Sequence, residues 1–271
     1  MSSADLRIAF VGAGAMGGSI ARGLVESGTV AASSLFVSDL SEQVRSSFAE
    51  LGVTAFSDAA DMIATADPTV VVLAVKPQVL PGVVASIAGA LEGRLVVSIA
   101  AGVKIATIEG WLASGTHVIR CMPNLPMQVR SGAVAITAGA CATEDDVALV
   151  RGLLSSLGVA RVMREDQLDV AGVVCGCAPA FFALFVDCMT RAGIEAGLTA
   201  ADSREMVAST MRGTAEQLLA SDAHPRAYME RVSSPGGTTI AALRTMEPEL
   251  FSSVLDGVDA ALARTRELAG E

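Results

Sequence analysis

The segment Gly12-Ala13-Gly14-Ala15-Met16-Gly17 follows an apolar run, Leu6 to Val11, and opens a helical pattern, Met16 to Ser27. A buried strand that turns straight into a helix leaves little room for side chains at the bend. Gly12 permits the tight turn, Gly14 lets an anionic group approach the backbone, and Gly17 lets the helix lie against the strand. The first amides of a helix have no partners inside it and point at whatever sits over its N-terminus. Gly12, Gly14, Ala15, Met16 and Gly17 are therefore the expected seat of a dinucleotide pyrophosphate. A lone GxGxxG is weak evidence, but its place between strand and helix makes it specific here. Asp39 ends the next strand pattern, roughly 20 residues beyond the last glycine, where a carboxylate accepts from ribose hydroxyls and repels a 2′-phosphate. That favours NADH. The same aspartate also suits a helix cap, and Arg45, about one turn further on, is placed to answer a phosphate, so NADPH stays open.

The first half alternates short apolar runs with helical patterns. After the glycine turn come a strand at Leu35 to Val37 and a helix through Val44 to Leu51, then a short strand near Val53 and a helix from Asp58 to Ala64. Thr69 to Val75 is almost wholly β-branched or apolar, the mark of a strand buried on both faces. Leu95 to Ile99 and His117 to Cys121 repeat the pattern with a helix between them, and Ala133 to Thr137 and Val159 to Met163 extend the sheet at one edge. Beyond Arg164 only helix-length segments follow: Pro179–Ala196, Thr199–Ala220, His224–Val232, Pro235–Met246 and Pro248–Leu268. The expected fold is α/β, with a parallel, doubly wound Rossmann-type domain over residues 1–164 and an all-helical domain over residues 165–271.

Composition narrows the partners. The chain is 52% hydrophobic with a mean hydropathy of +0.53, which predicts a large apolar area hidden by packing or by a partner subunit, and the apolar helical half predicts a homodimer at least. A formal net charge of −10 gives nucleic-acid binding no electrostatic support. No basic stretch precedes an apolar run at the N-terminus, so no secretory signal is expected. The longest uncharged apolar stretch, Val170 to Val186, falls short of the roughly 18–20 residues of a membrane span and reads as a buried helix with an irregular start. Five cysteines, an odd number without metal-ligand spacing, fit a reducing cytoplasm.

Three further features carry chemistry. Ser234-Pro235-Gly236-Gly237-Thr238-Thr239 reads as a helix start, with a serine cap, a proline in the first turn, and glycines that leave amides open. Such a terminus holds a small carboxylate without a cationic side chain, or is simply a capped turn. Lys76, one of two lysines, stands with Pro77 at the carboxyl end of a buried strand, where open α/β sheets bind ligands. Asn124 ends a later strand. Lys76 and Asn124 border a cofactor and substrate, or are a snorkelling lysine and a turn-closing asparagine. His117, on an apolar strand, is read as a core histidine.

These residues, taken in order, resemble the pyrroline-5-carboxylate reductase family along nearly the whole chain. The likeness runs through Val11-Gly12-Ala13-Gly14-Ala15-Met16-Gly17, Ala74-Val75-Lys76-Pro77, Val97-Ser98-Ile99-Ala100-Ala101-Gly102-Val103 and Arg120-Cys121-Met122-Pro123-Asn124. It ends with His224-Pro225, Val232 to Thr239, and Arg264-Thr265-Arg266-Glu267-Leu268. The resemblance implies NAD(P)H-dependent reduction of a cyclic imine carboxylate to proline and a helical domain that forms dimers or larger assemblies. It also implies that Ser234, Gly237, Thr238 and Thr239 hold the substrate carboxylate.

One segment departs from the family. Where relatives commonly carry a threonine, two serines and a tyrosine, this chain has Gly172, Cys175, Cys177 and Phe181. Thiols are larger and weaker hydrogen-bond partners than hydroxyls. The change is either benign packing or a pocket recut for a different cyclic imine acid. A family member that binds dinucleotide without turnover is the non-enzymatic alternative. The β-hydroxyacid dehydrogenases share the architecture, but they depend on a lysine in the helical domain, and this chain has none beyond Lys104.

Overall fold

A computed structural model describes residues 6–269. The stretch ahead of Leu6, read above for a targeting signal, and the last residues of the helical domain lie outside the described residues. The strands are β1 (Ile8–Val11), β2 (Leu35–Ser38), β3 (Thr54–Phe56), β4 (Val70–Leu73), β5 (Leu95–Ser98), β6 (His117–Pro123), β7 (Gly132–Ala138) and β8 (Gly158–Val162). Helices α1 (Ala15–Glu26), α2 (Glu42–Ala49), α3 (Ala59–Ala66), α4 (Leu80–Ile87), α5 (Ile105–Glu109) and α6 (Glu144–Ser155) lie among them. Then come α7 (Glu165–Ala171), a π-helical turn (Gly172–Cys177), α8 (Ala178–Glu195), α9 (Ala200–Leu219), α10 (Pro225–Arg231) and α11 (Thr238–Ala269).

The strands form one sheet in the order β3-β2-β1-β4-β5-β6-β7-β8. β1, β2, β4 and β5 are buried along their whole length, as their apolar sequences, broken only by Ser38 and Ser98 at the ends of β2 and β5, require. One apolar layer gathers around Phe10, Leu24, Phe48 and Ile119, and the other around Met62, Leu73, Leu80 and Ile108. Each such side chain contributes about 1.5–3 kcal/mol by leaving water. The chain leaves β1 toward β2 on one side and later enters β4 on the other. The carboxyl ends of β1 and β4 therefore flank the point where strand order reverses, the place such sheets bind ligands.

Several expectations need correction. The sheet is not wholly parallel: β7 runs antiparallel to β6, with Pro123 opposite Val134 and Ile119 opposite Ala138. The link between them, residues 124–131, is shorter than the dozen or so residues a parallel crossover takes. The two helices expected on either side of Glu247 are one, because Pro248 sits inside α11. Its missing amide leaves the Arg244 carbonyl without its helical donor, but does not end the helix. His117 is not a core residue. It is partly exposed, and its Nδ1 lies 2.8 Å from Asp146 Oδ2.

Strand content ends at β8, whereas the compact units divide later. Residues Met1–Cys177 and Arg264–Glu271 form one unit and Ala178–Ala263 the other. Within the first, α7 and the π turn pack on β6 and β7. In the second, α8 and α9 pair, and Ser203 is fully buried with its hydroxyl donating to the Thr190 carbonyl. The helical run expected to be buried is instead largely exposed on a single chain, with Phe182 and Leu184 each more than half exposed. The continuous helix Glu165–Glu195 is also, by length and composition, long and apolar enough to cross a membrane.

Asp146 joins α6 to the sheet. Its carboxylate accepts from the Thr143 amide and hydroxyl, closing a capping box, and meets His117. Partial burial pushes its carboxyl upward, but the hydrogen bonds from Thr143 and His117 outweigh this and hold it below the ordinary value. A lowered folded value means stability that is full above the ordinary carboxylate range and lost as pH falls through the folded one. Asp146→Asn is expected to cost about 1 kcal/mol at neutral pH. The gap in melting temperature from the parent should shrink as pH falls below about 4. A gap unchanged between pH 7 and 3 contradicts the assignment.

Candidate active site

Two of the three glycines of the first turn have a steric reason. Gly12 adopts φ +93°, and a Cβ there would lie 2.9 Å from the Ala74 carbonyl oxygen and 2.9 Å from Val75. A Cβ on Gly17 would lie 2.5 Å from the Gly12 carbonyl oxygen and 2.6 Å from Ala74 Cβ. These contacts bring α1 hard against the loop after β4. Gly14 differs, because a Cβ there meets nothing within 4 Å and its φ of −68° suits any residue. Gly14 and Ala15 are exposed, no side chain caps α1, and its first turn carries no acid. Among the described residues, the amides of Ala15, Met16 and Gly17 meet no acceptor. The terminus is open, unshielded and suited to an anion.

Asp39 is tied into the same turn. Its Oδ2 accepts from the Ala13 amide at 2.9 Å and its Oδ1 from the Ser41 amide at 2.9 Å. These bonds fix the carboxylate beside the glycine loop, and each oxygen keeps a lone pair for a ribose hydroxyl. Arg45 turns away from that role: its Nη1 donates to the carbonyls of Asp39 and Leu40, both at 2.8 Å. Lys76 is exposed in the loop after β4, with no side-chain partner among the described residues, and Pro77 follows it. The structure thus brings Gly12, Gly14, Ala15, Met16, Gly17, Asp39, Lys76 and Pro77 to the carboxyl ends of β1, β2 and β4.

Asn124 stands at the end of β6. It is buried, its Oδ1 accepts from the Ala133 amide at 2.8 Å, and its Nδ2 donates to the Cys175 carbonyl at 3.1 Å. It ties β7 and the π turn to β6 and keeps one amide hydrogen in hand. Arg120, on the same face of the strand, received no role from the sequence. It is fully buried, with Nη1 3.1 Å from Glu165 Oε1 and Nη2 2.9 Å from Asp169 Oδ1, while its Nε has no partner among the described residues. Glu165 Oε1 also accepts from the Ile105 amide. An arginine in a buried strand was the signal for such pairing, since a buried charge needs a partner. Its neighbour Cys121 is inert, because burial pushes its thiol up to about 12.

The Ser234–Thr239 segment belongs to the other compact unit. Ser234 does not cap a helix and Pro235 is not in a first helical turn. Instead the Gly237 amide donates to the Ser234 carbonyl at 3.0 Å, with Gly236 at φ +70°, and α11 starts only at Thr238. Proline second and a left-handed glycine third make this a tight β-turn that delivers the chain to the helix. A Cβ on Gly237 would collide with the Ser234 side chain. The hydroxyls of Ser234, Thr238 and Thr239 have no partner among the described residues, and the first amides of α11 lie beside them. No group of histidine, cysteine and carboxylate side chains suited to a metal ion occurs among the described residues.

Fold and site together define a dinucleotide-dependent oxidoreductase. Residues 7–102 match the family described as NADP oxidoreductase coenzyme F420-dependent, and residues 165–268 that described as pyrroline-5-carboxylate reductase dimerisation. A pyrroline-5-carboxylate reductase of Pseudomonas aeruginosa is 37% identical over 267 residues, 97% of each chain. One from Pisum sativum is 33% identical over 264 residues, 97% of this chain and 96% of the relative. The solved pyrroline-5-carboxylate reductase of Coxiella burnetii superimposes with a TM-score of 0.91 at 29% identity, covering 97% of this chain and 98% of that one. A Plasmodium falciparum pyrroline carboxylate reductase with NADP bound gives 0.86 at 25% identity, covering 98% of each. This chain belongs to the pyrroline-5-carboxylate reductase family.

The glycines separate folding from binding. Gly14→Ala should leave the melting temperature unchanged or slightly higher, since the added methyl meets open space. It should weaken NADH binding about tenfold or more, because the methyl stands where the pyrophosphate must approach. Gly17→Val should lower both. Titration of NADH fluorescence beside thermal melts checks this, and undiminished affinity in Gly14→Ala contradicts the placement.

Proposed function

We propose that this chain reduces 1-pyrroline-5-carboxylate to proline, the last step of proline biosynthesis, with NADH or NADPH. The observation that carries the reading is the 37% identity to a curated reductase over 97% of both chains. We read residues 1–164 as the dinucleotide domain and 165–271 as the domain for substrate and dimerisation, joined as a homodimer or larger assembly. The partners are a small cyclic imine carboxylate and the cofactor, without nucleic acid or membrane. Five free cysteines support a cytoplasmic setting.

In this reading Gly12, Gly14, Ala15, Met16 and Gly17 hold the pyrophosphate through open amides and the α1 dipole. Asp39 takes the ribose hydroxyls, and Lys76 and Pro77 border the bound cofactor. The nicotinamide, when bound, supplies a hydride to the imine carbon. A protonated cyclic imine is already electrophilic, so the residues need to hold it in line and keep it there. Ser234, Gly237, Thr238 and Thr239 take its carboxylate through hydroxyls and the first amides of α11. Asn124 bounds the substrate side by fixing the π turn and offering its second amide hydrogen. Asp39 inclines the cofactor choice to NADH, because its fixed carboxylate repels a 2′-phosphate and Arg45 is turned into the backbone.

A second reading has one observation in its favour. The π turn carries Gly172, Cys175 and Cys177 where relatives commonly carry hydroxyls, which suits a different cyclic imine acid. Steady-state oxidation of NADH and of NADPH with 1-pyrroline-5-carboxylate decides between them. The main reading expects turnover of the five-membered imine, with the lower KM for NADH. Tight cofactor binding with no turnover of that imine, but turnover of a six-membered one, favours the recut pocket. Cofactor binding with no turnover of either removes the enzymatic reading.

A further inference from the structure

Alternate residues of β6 share one face, and on it Arg120 and Met122, with Asn124 just past the strand's end, all meet α7 or the π turn that follows it. The two polar contacts fix the ends of this docking. Arg120 grips Glu165 and Asp169 ahead of the π turn, and Asn124 donates to the Cys175 carbonyl within it. Between them lies Met122. A Cβ on Gly172 would stand 2.9 Å from Met122 Cε and 3.4 Å from its Cγ, and one on Gly176 would stand 3.8 Å from Cε. The thioether is seated in a notch made by two glycines one turn apart.

That notch has consequences for the turn. A π turn is a widened, weakly stabilised piece of helix, and two glycines loosen it further. Apart from the Asn124 bond to the Cys175 carbonyl, no polar contact between the turn and β6 occurs among the described residues, so where its Gly172–Gly176 side stands depends on how far Met122 fills the notch. Met122 is only half-buried, at the carboxyl edge of the sheet where ligands bind. We propose that Met122 is a positioning residue for the reduction: seated between Gly172 and Gly176, it sets where the π turn stands against the end of β6, and so where the reacting ring rests. This extends the reading under Proposed function. Residues 122 and 172 are thereby coupled, because a methyl added at Gly172 obliges the flexible end of Met122 to leave the notch.

The test is a double-mutant cycle on the full-length protein with Gly172→Ala, Met122→Ala and the pair together. It is read as kcat, as KM for NADH and imine, as the isotope effect from 4-deuterated NADH, and as melting temperature. Gly172→Ala should lower kcat about tenfold, as a sub-ångström displacement of the ring does, and raise the isotope effect, with KM for NADH within about twofold of the parent. Met122→Ala alone should lower kcat severalfold because the notch stands empty. The double variant should lose much less than the product of the two single losses, because the new methyl then has room and fills part of the notch. Met122→Leu, nearly equal in volume, keeps the fold but branches toward Gly172, and should lower kcat severalfold on its own. Independent, multiplying losses in the double variant overturn the proposal, as does a kcat that merely follows melting temperature. A parent enzyme that reduces no cyclic imine removes the functional reading, and this proposal with it. A parent that turns over while its variants stay uncoupled removes the proposal alone.

Discussion

The architecture depends on the contact of α1 with the loop after β4. Gly17 sits close enough to the Gly12 carbonyl and to Ala74 that a methyl group on it has no place. That approach sets the helix N-terminus over the carboxyl ends of β1 and β4, where the strand order reverses. Gly14 alone among the three is free of steric demand, and its side faces open space at the helix N-terminus. Asp39, bonded to the Ala13 amide, extends the constraint to β2 and fixes the rim of the same crevice. One close packing of backbone on backbone thus aligns three strand ends.

β6 is the second organising element. Arg120, Met122 and Asn124 reach from one of its faces to hold α7 and the π turn, using an ion-pair cluster, an apolar knob and an amide. The buried Arg120 faces two carboxylates, so its charge is compensated, and removing either partner changes the balance rather than merely loosening a surface pair. The helices beyond tell a different energetic story. Phe182, Leu184, Met206 and Phe251 are each about 60% exposed or more on one chain. Leaving such side chains in water forgoes about 1.5–3 kcal/mol apiece. The match of residues 165–268 to a dimerisation family accounts for that exposure by a second copy.

Much of this was legible in the sequence where sterics or periodicity act locally. The glycine turn declared itself because strand, bend and helix are adjacent, and the buried strands because their runs are almost wholly apolar. What escaped depended on distance or on connection length. The reversal of β7 follows from a short link rather than from the strand's own residues. Pro248 was read as a helix break, yet the long α11 accommodates it. Ser234-Pro235 was read as a helix start, but Gly236 closes a turn first. Arg120 lies 45 and 49 residues from Glu165 and Asp169, and no local pattern announces that pairing. The place of Asp39 beside the glycine turn follows from its spacing, although its bonds to backbone amides leave no trace in residue type.

The central claim is that a dinucleotide rests on the open amides at the start of α1. Amide hydrogen exchange, resolved to single residues and measured with and without NADH, tests it most directly. Ala15, Met16 and Gly17 have no acceptor among the described residues and should exchange rapidly in the free protein. The account predicts marked slowing at these amides on adding NADH, with far less change at Ala13, whose amide Asp39 already holds. Unaltered exchange at Ala15, Met16 and Gly17 under saturating NADH, while the enzyme turns over, would contradict it.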